Sequence, residues 1–181
     1  VNAIRHMDPE YQVVLCAGAP DTPEIAEEMT LAVAAAQEQR EGVVWIREMI
    51  DNPTKIVLYS HADVFCCPSI YEPFGIINLE AMACETPVVA SAVGGMKEVV
   101  VDGETGFLVP LEQQAESPFE ALDPDAFARA LATKVNQLMG DPPLRARMAK
   151  AGRERVIETF SWASIAQQTH ALYAELLAGE G

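Results

Sequence analysis

Basic residues are scarce in this chain. Lysine and arginine together number 12 of 181 residues, against 27 aspartates and glutamates, for a formal net charge of -15. That balance excludes a reader of nucleic-acid backbones and a binder of anionic membrane surfaces. Long apolar runs are also missing. Nothing approaches the roughly 20 residues of a bilayer span, and no basic stretch followed by an apolar one opens the chain, so a cytoplasmic protein with no membrane element is expected. The four cysteines, Cys16, Cys66, Cys67 and Cys84, have neither zinc-ligand nor redox-pair spacing, and free buried thiols are expected. His6, His61 and His170 lie far apart in sequence, which suggests no metal site, and His61 reads as a helix C-terminal residue facing the dipole.

What is present is a half-apolar composition, enough for one domain with a sizeable core spanning residues 1–181. Strand-like and helix-like segments alternate along it. Residues 12–17 form an apolar run ending at Gly18-Ala19-Pro20, and Thr22-Pro23-Glu24 opens a helix to about Gln39. Residues 43–46 are a second strand, and Pro53 begins a helix that ends near His61. Further strands follow at 62–67, 87–91 and 107–109, separated by a helix starting near Gly75 and another over 96–101. Strands apolar on both faces and joined by helices predict an α/β fold, a Rossmann-like parallel sheet covered by helices on both faces.

Residues 111–124 are polar and irregular and read as a surface loop. Asp123 or Asp125 caps the helix after it, Asp141 caps the next, and Ser161 caps a terminal helix over 161–178. Arg145, Arg147, Lys150, Arg153 and Arg155 read as a solvated basic face. Residues 1–7 have the apolar spacing of a helix end with no visible N-cap, so the domain is expected to be incomplete at its amino end.

The central stretch is Ser69-Ile70-Tyr71-Glu72-Pro73-Phe74-Gly75-Ile76-Ile77-Asn78-Leu79-Glu80-Ala81-Met82-Ala83, a Pro/Gly turn between a strand and a helix. A helix beginning near Gly75 points the N–H groups of Gly75, Ile76 and Ile77 at whatever lies beyond its N-terminus, where an anion is favoured. Ile76 and Glu80 are four residues apart and share a face. A phosphate on the Ile76 N–H therefore has its next sugar beside the Glu80 carboxylate, which accepts from vicinal hydroxyls. Glu72 lies across the turn, within reach of a second sugar beyond a diphosphate. Read without that ligand, Glu72 is a solvated loop residue and Glu80 a charge matched to the dipole.

Glu72 and Glu80, seven residues apart in the setting Pro-Ser-x-x-Glu-Pro-Phe-Gly-x-x-x-Leu-Glu-Ala-Met-Ala, resemble the Glu-x7-Glu signature of retaining nucleotide-sugar glycosyltransferases of the GT-B fold, family 4 (group 1). The resemblance continues through the blocks that start at Thr86-Pro87-Val88-Val89 and Glu98-Val99-Val100-Val101, and covers roughly residues 10–178. Within the family, Leu15 to Glu24, Val44-Trp45-Ile46, Leu58-Tyr59-Ser60-His61-Ala62 and Ser117-Pro118-Phe119-Glu120 look like the actinobacterial type of glycogen synthase.

The resemblance implies the carboxy-terminal half of a GT-B enzyme whose amino-terminal, acceptor-binding domain lies outside this chain. It implies a nucleotide-diphosphate sugar donor, ADP- or UDP-glucose, and as acceptor an α-1,4-glucan or a sugar phosphate, glucose 1-phosphate. Glu80 would hold the ribose; Glu72, with the N–H groups of Phe74, Gly75 and Ile76, the donor sugar and diphosphate; Ile46 and Met49 would flank the base. Glu72 takes the catalytic role, with no cofactor and no metal. Gly94-Gly95 is either a tight turn or part of the site, and the proline that family members usually carry after this pair is absent from Met96-Lys97-Glu98. The alternatives are another family 4 enzyme acting on a lipid or polyol, such as a mannosyltransferase, and a nucleotide-sugar-binding fragment without chemistry. A sugar-nucleotide epimerase of related fold is weaker, because its catalytic acids are not evident.

Overall fold

The computed structural model describes residues 1–16, 20 and 22–178. Every strand pairing in it is parallel. β1 (Val13–Cys16) pairs with β2 (Val43–Ile46), Val13 opposite Val43 and Cys16 opposite Ile46. β3 (Phe65–Cys67), β4 (Val88–Ser91) and β5 (Gly106–Val109) form a second set in the order β3-β4-β5. Among the described residues the two sets share no ladder, so the expected single layer is divided into a pair and a three-stranded set. The turn expected at Gly18-Ala19-Pro20 has Gly18 and Ala19, like Ala17 before them, outside the described residues.

Helices cover both faces of the three-stranded set. Val89, Phe107 and Val109 point to one side, against Ala128, Leu131, Val135 and Leu138 of α5 (Pro124–Gly140) and Leu144 and Met148 of α6 (Pro142–Arg155). Val88 and Ala90 point to the other, against Ala81 and Met82 of α3 (Ile76–Ala83) and Met96 and Val99 of α4 (Met96–Val99). β4 is buried throughout, as its unbroken apolar run requires. The β1–β2 pair packs one face on Ala36 of α1 (Pro23–Gln39) and Ile4, while Val14 and Val44 on the other are 43% and 42% exposed. A 3₁₀ turn, Ile4–His6, stands where a helix end was expected, and it stitches the halves together: Ala3 enters the large core and Ile4 the β1–β2 core.

Capping follows the sequence closely. Thr22 accepts from the Ile25 N–H at 3.3 Å, Asp123 from Ala126 at 2.8 Å and Asp141 from Leu144 at 2.9 Å. Asp51 caps α2 (Asn52–His61) through the Thr54 N–H at 2.9 Å, and hydrogen bonding to Thr54 holds its carboxyl below the ordinary value. His61, the last residue of α2, donates from Nδ1 to the Val57 carbonyl at 2.9 Å.

The basic run on α6 is not a uniformly solvated face. Arg145 donates to the Leu138 and Met139 carbonyls and pairs with Asp63, Arg153 reaches the Ala83 carbonyl and Glu85, and Arg155 donates to the Glu98 and Val99 carbonyls. Helix-terminal carbonyls lacking an intrahelical partner supply the acceptors. After a five-residue π-helical turn, Val156–Phe160, comes α7 (Trp162–Ala178), on which no residue is buried. None of the helices described is long and apolar enough to cross a membrane.

The thiols are free, but Cys16 is exposed rather than buried, because it ends β1 on the open side of the pair. Burial pushes the Cys66 thiol up to about 12 and also raises Cys67. Iodoacetamide at neutral pH is expected to label Cys16 first and to leave Cys66 and Cys67 unmodified until the chain is unfolded, as read by mass spectrometry of the digested protein.

Candidate functional site

The loop from β3 to α3 is held from three sides. The Ser91 hydroxyl, at the end of β4, donates to the Ser69 carbonyl at 2.6 Å. The Gln113 amide donates to the Ile70 carbonyl at 2.5 Å and to Phe119 O at 2.9 Å, and the Tyr71 and Phe119 rings stack with centroids 6.2 Å apart. The segment carrying Gln113 and Phe119 is the exposed loop expected, without helix or strand, but it is pinned: Gln113 bridges Ala121 antiparallel, and the Leu122 N–H donates to the Glu112 carbonyl at 2.9 Å. From below, Gly95 N–H donates to the Glu72 carbonyl at 3.1 Å. A Cβ on Gly94 would lie 2.1 Å from the Glu72 carbonyl oxygen, and one on Gly95 2.5 Å from Phe74 Cα. The glycine pair is thus a seat for the loop bearing Glu72, and it serves the site by position.

At the head of α3, Gly75 takes the left-handed conformation, φ 102°. Its N–H donates to Glu72 Oε1 at 3.0 Å, and the Phe74 N–H reaches the same oxygen at 3.4 Å. The N–H groups of Asn78 and Leu79 donate to the Gly75 carbonyl. Those of Ile76 and Ile77 meet no acceptor among the described residues. Of the three N–H groups expected to face a diphosphate, Phe74, Gly75 and Ile76, the first two are thus held by Glu72 itself. The cause is electrostatic: orphan N–H groups at a helix start attract the nearest carboxylate.

Glu80 is a turn further along, gripped from α2. Lys55 Nζ donates to Oε1 at 2.8 Å and the Tyr59 hydroxyl to Oε2 at 3.3 Å. Burial, and then the adjacent Glu80 charge, push the Tyr59 phenol well above its usual value, so it remains a proton donor. Asn78, between the two glutamates in sequence, is fully buried. Its Nδ2 lies 2.9 Å from Met96 Sδ, and its Oδ1 has no partner among the described residues. Lys55, Tyr59, Gln113 and Asn78 were not singled out by sequence. The four-residue spacing of Lys55 and Tyr59 on α2 was the one available signal.

Ile46 ends β2 half-buried, whereas Met49, in the loop beyond, is 85% exposed. Cys16 is the in-register partner of Ile46 at the end of the β1–β2 pair. Arg47 turns back, its guanidinium 4.0 Å over the Trp45 ring. On the opposite flank, Phe160 meets Phe74 edge-on with centroids 6.0 Å apart, and Arg155 lies 5.4 Å over the Phe160 ring.

Parallel strands with helices on both sides are the architecture of the carboxy-terminal domain of a GT-B glycosyltransferase, and likeness to known proteins places the chain there. The solved sucrose-phosphate synthase of Thermosynechococcus elongatus superposes with a TM-score of 0.76 at 35% identity, over 98% of this chain and 41% of that one. The chain belongs to the family described as glycosyl transferases group 1, whose model matches residues 2–155. It is 51% identical over 178 residues to the alpha-maltose-1-phosphate synthase of Mycolicibacterium smegmatis, covering 98% of this chain and 44% of that protein. The glycogen synthase of Mycobacterium tuberculosis is more distant, 34% identical over 131 residues, 72% of this chain and 28% of that protein. The chain spans less than half the length of either relative.

Gly95→Ala is expected to push the Phe74 backbone aside while the cores on both faces of β4 persist. Amide shift changes in a two-dimensional NMR spectrum should centre on residues 72–76, and an unchanged loop would refute the seating role.

Proposed function

We propose that this chain is the donor-binding part of a retaining glycosyltransferase that moves glucose from ADP- or UDP-glucose, with glucose 1-phosphate as the favoured acceptor and an α-1,4-glucan as the other. The observation that carries the reading is the pair of carboxylates at the head of α3. Glu72 holds the N–H groups of Phe74 and Gly75 just before α3, Glu80 is held by Lys55 and Tyr59 of α2, and the Ile76 N–H at the start of α3 has no acceptor among the described residues. The greater likeness to a maltose-1-phosphate synthase than to a glycogen synthase supports the sugar-phosphate acceptor. Turnover requires the acceptor-binding amino-terminal domain of the parent enzyme.

In this reading the donor diphosphate takes over the Phe74 and Gly75 N–H groups from Glu72 and adds that of Ile76. Glu72, released, accepts from hydroxyls of the donor sugar, while Glu80 accepts from the ribose and Ile46 and Met49 flank the base. When the glycosidic bond breaks, its electron pair goes to the diphosphate oxygen, the acceptor hydroxyl oxygen bonds to the anomeric carbon and its proton passes to the departing diphosphate, and the N–H groups at the helix head stabilise the charge that develops there.

Calorimetric titration with ADP-glucose, UDP-glucose and GDP-mannose tests the reading. One glucosyl nucleotide should bind best, and Glu80→Ala should weaken it at least about tenfold, as expected for hydrogen bonds to a charged group. Tightest binding of GDP-mannose, or indifference to Glu80→Ala, would overturn it. Glu72→Ala offers a separate check: with the competing carboxylate gone, nucleoside diphosphate alone should bind about fivefold more tightly, the effect of roughly 1 kcal/mol of hydrogen bonding. The extra affinity contributed by the glucosyl group should disappear in the same variant.

A further inference from the structure

Glu80 is oriented before any ligand contact, and by two groups of different character. Lys55 and Tyr59 are four residues apart, so they project from one face of α2 toward α3. Each takes a different oxygen of the carboxylate, Lys55 Oε1 at 2.8 Å and Tyr59 Oε2 at 3.3 Å. Tyr59 is the fixed half of this arrangement. It is 7% exposed, its ring stands edge-on to Phe65 with centroids 5.2 Å apart, and its carbonyl accepts from the Thr86 hydroxyl at 2.5 Å. Lys55 is the more open half, on a side chain 28% exposed.

A carboxylate offers about four lone-pair positions, two per oxygen. Among the described residues one on each oxygen is occupied, which leaves one on each oxygen of a group whose side chain is 34% exposed. We propose that Lys55 and Tyr59 are positioning residues that lock the Glu80 carboxylate with its two remaining lone pairs turned outward, matched to the 2′- and 3′-hydroxyls of a nucleotide ribose. A glutamate without them must be immobilised by the ligand itself, at the cost of its rotamer freedom. The pair therefore governs discrimination between ribose and deoxyribose, and does so without touching the nucleotide. This inference rests on the donor-site reading of Glu80.

The experiment compares calorimetric affinities of ADP and UDP with those of their 2′,3′-dideoxy counterparts, for the unsubstituted chain, Lys55→Met, Tyr59→Phe and Glu80→Gln. The unsubstituted chain should prefer the ribonucleotide at least tenfold, and Glu80→Gln should abolish the preference. Lys55→Met and Tyr59→Phe should each cut the preference several-fold while leaving dideoxynucleotide affinity unchanged, and thermal melting of Tyr59→Phe checks that the chain is folded. A preference that survives in both variants, or an equal loss of both ligands, overturns the positioning role alone, since α2 then merely braces α3. An unsubstituted chain that binds the two sugars alike, or binds neither, overturns the ribose reading of Glu80 and the positioning role with it.

Discussion

The structure depends on a close approach of two backbones. Where Gly94 and Gly95 pass beneath Glu72, Pro73 and Phe74, there is no room for a side chain, and a single hydrogen bond from Gly95 to the Glu72 carbonyl fixes the separation. β4, buried on both faces, delivers the glycines to that point. β3 delivers the loop above them, tied at Ser69 by Ser91. The position of Glu72 is therefore set by the core of the three-stranded set, through contacts that a mobile side chain cannot loosen. Gly75 completes the arrangement: its left-handed backbone turns the chain from the loop into α3, and the helix head faces the carboxylate that has just preceded it.

Two carboxylates close together in a chain already strongly acidic are kept by giving each its own compensation. Glu72 has the N–H groups of Phe74 and Gly75, and Glu80 has a cation and a phenol. Neither arrangement depends on distant charge, and neither is deeply buried. In the proposed reading an anion arriving at α3 would replace an existing partner on a loop whose shape is already set, an exchange of acceptors with little chain to order.

Much of the fold could be read from the residues because it is local. Proline at the helix starts, with threonine or aspartate before it, marks α1, α5 and α6 at their observed caps. Apolar runs of three to six residues mark the strands. The division of the layer into two sets left no trace of that kind, because pairing between strands is a long-range property. The motif likewise picks out Glu72 and Glu80 but says nothing of Lys55, Tyr59 or Gln113. Those residues meet the site only once α2 and the segment after β5 have folded against it. The arginines of α6 misled for the same reason: spacing describes a helix face, but the carbonyl ends they satisfy belong to other elements.

Phe160 gives the far end of the chain a mechanical connection to the site. Its ring rests on Phe74 and beneath Arg155, and Arg155 holds the carbonyls at the end of α4. α7 departs two residues later, with Trp162 89% exposed and its own apolar residues uncovered. α7 is tied to the π-helical turn through its first two turns, Ser164 donating to the Glu158 carbonyl and Gln168 to the Thr159 carbonyl, so that turn is the fulcrum of a lever. Any load that swings its free length applies torque to the Phe160 ring, and the first part of the site to feel that torque is the backbone that presents the Phe74 N–H.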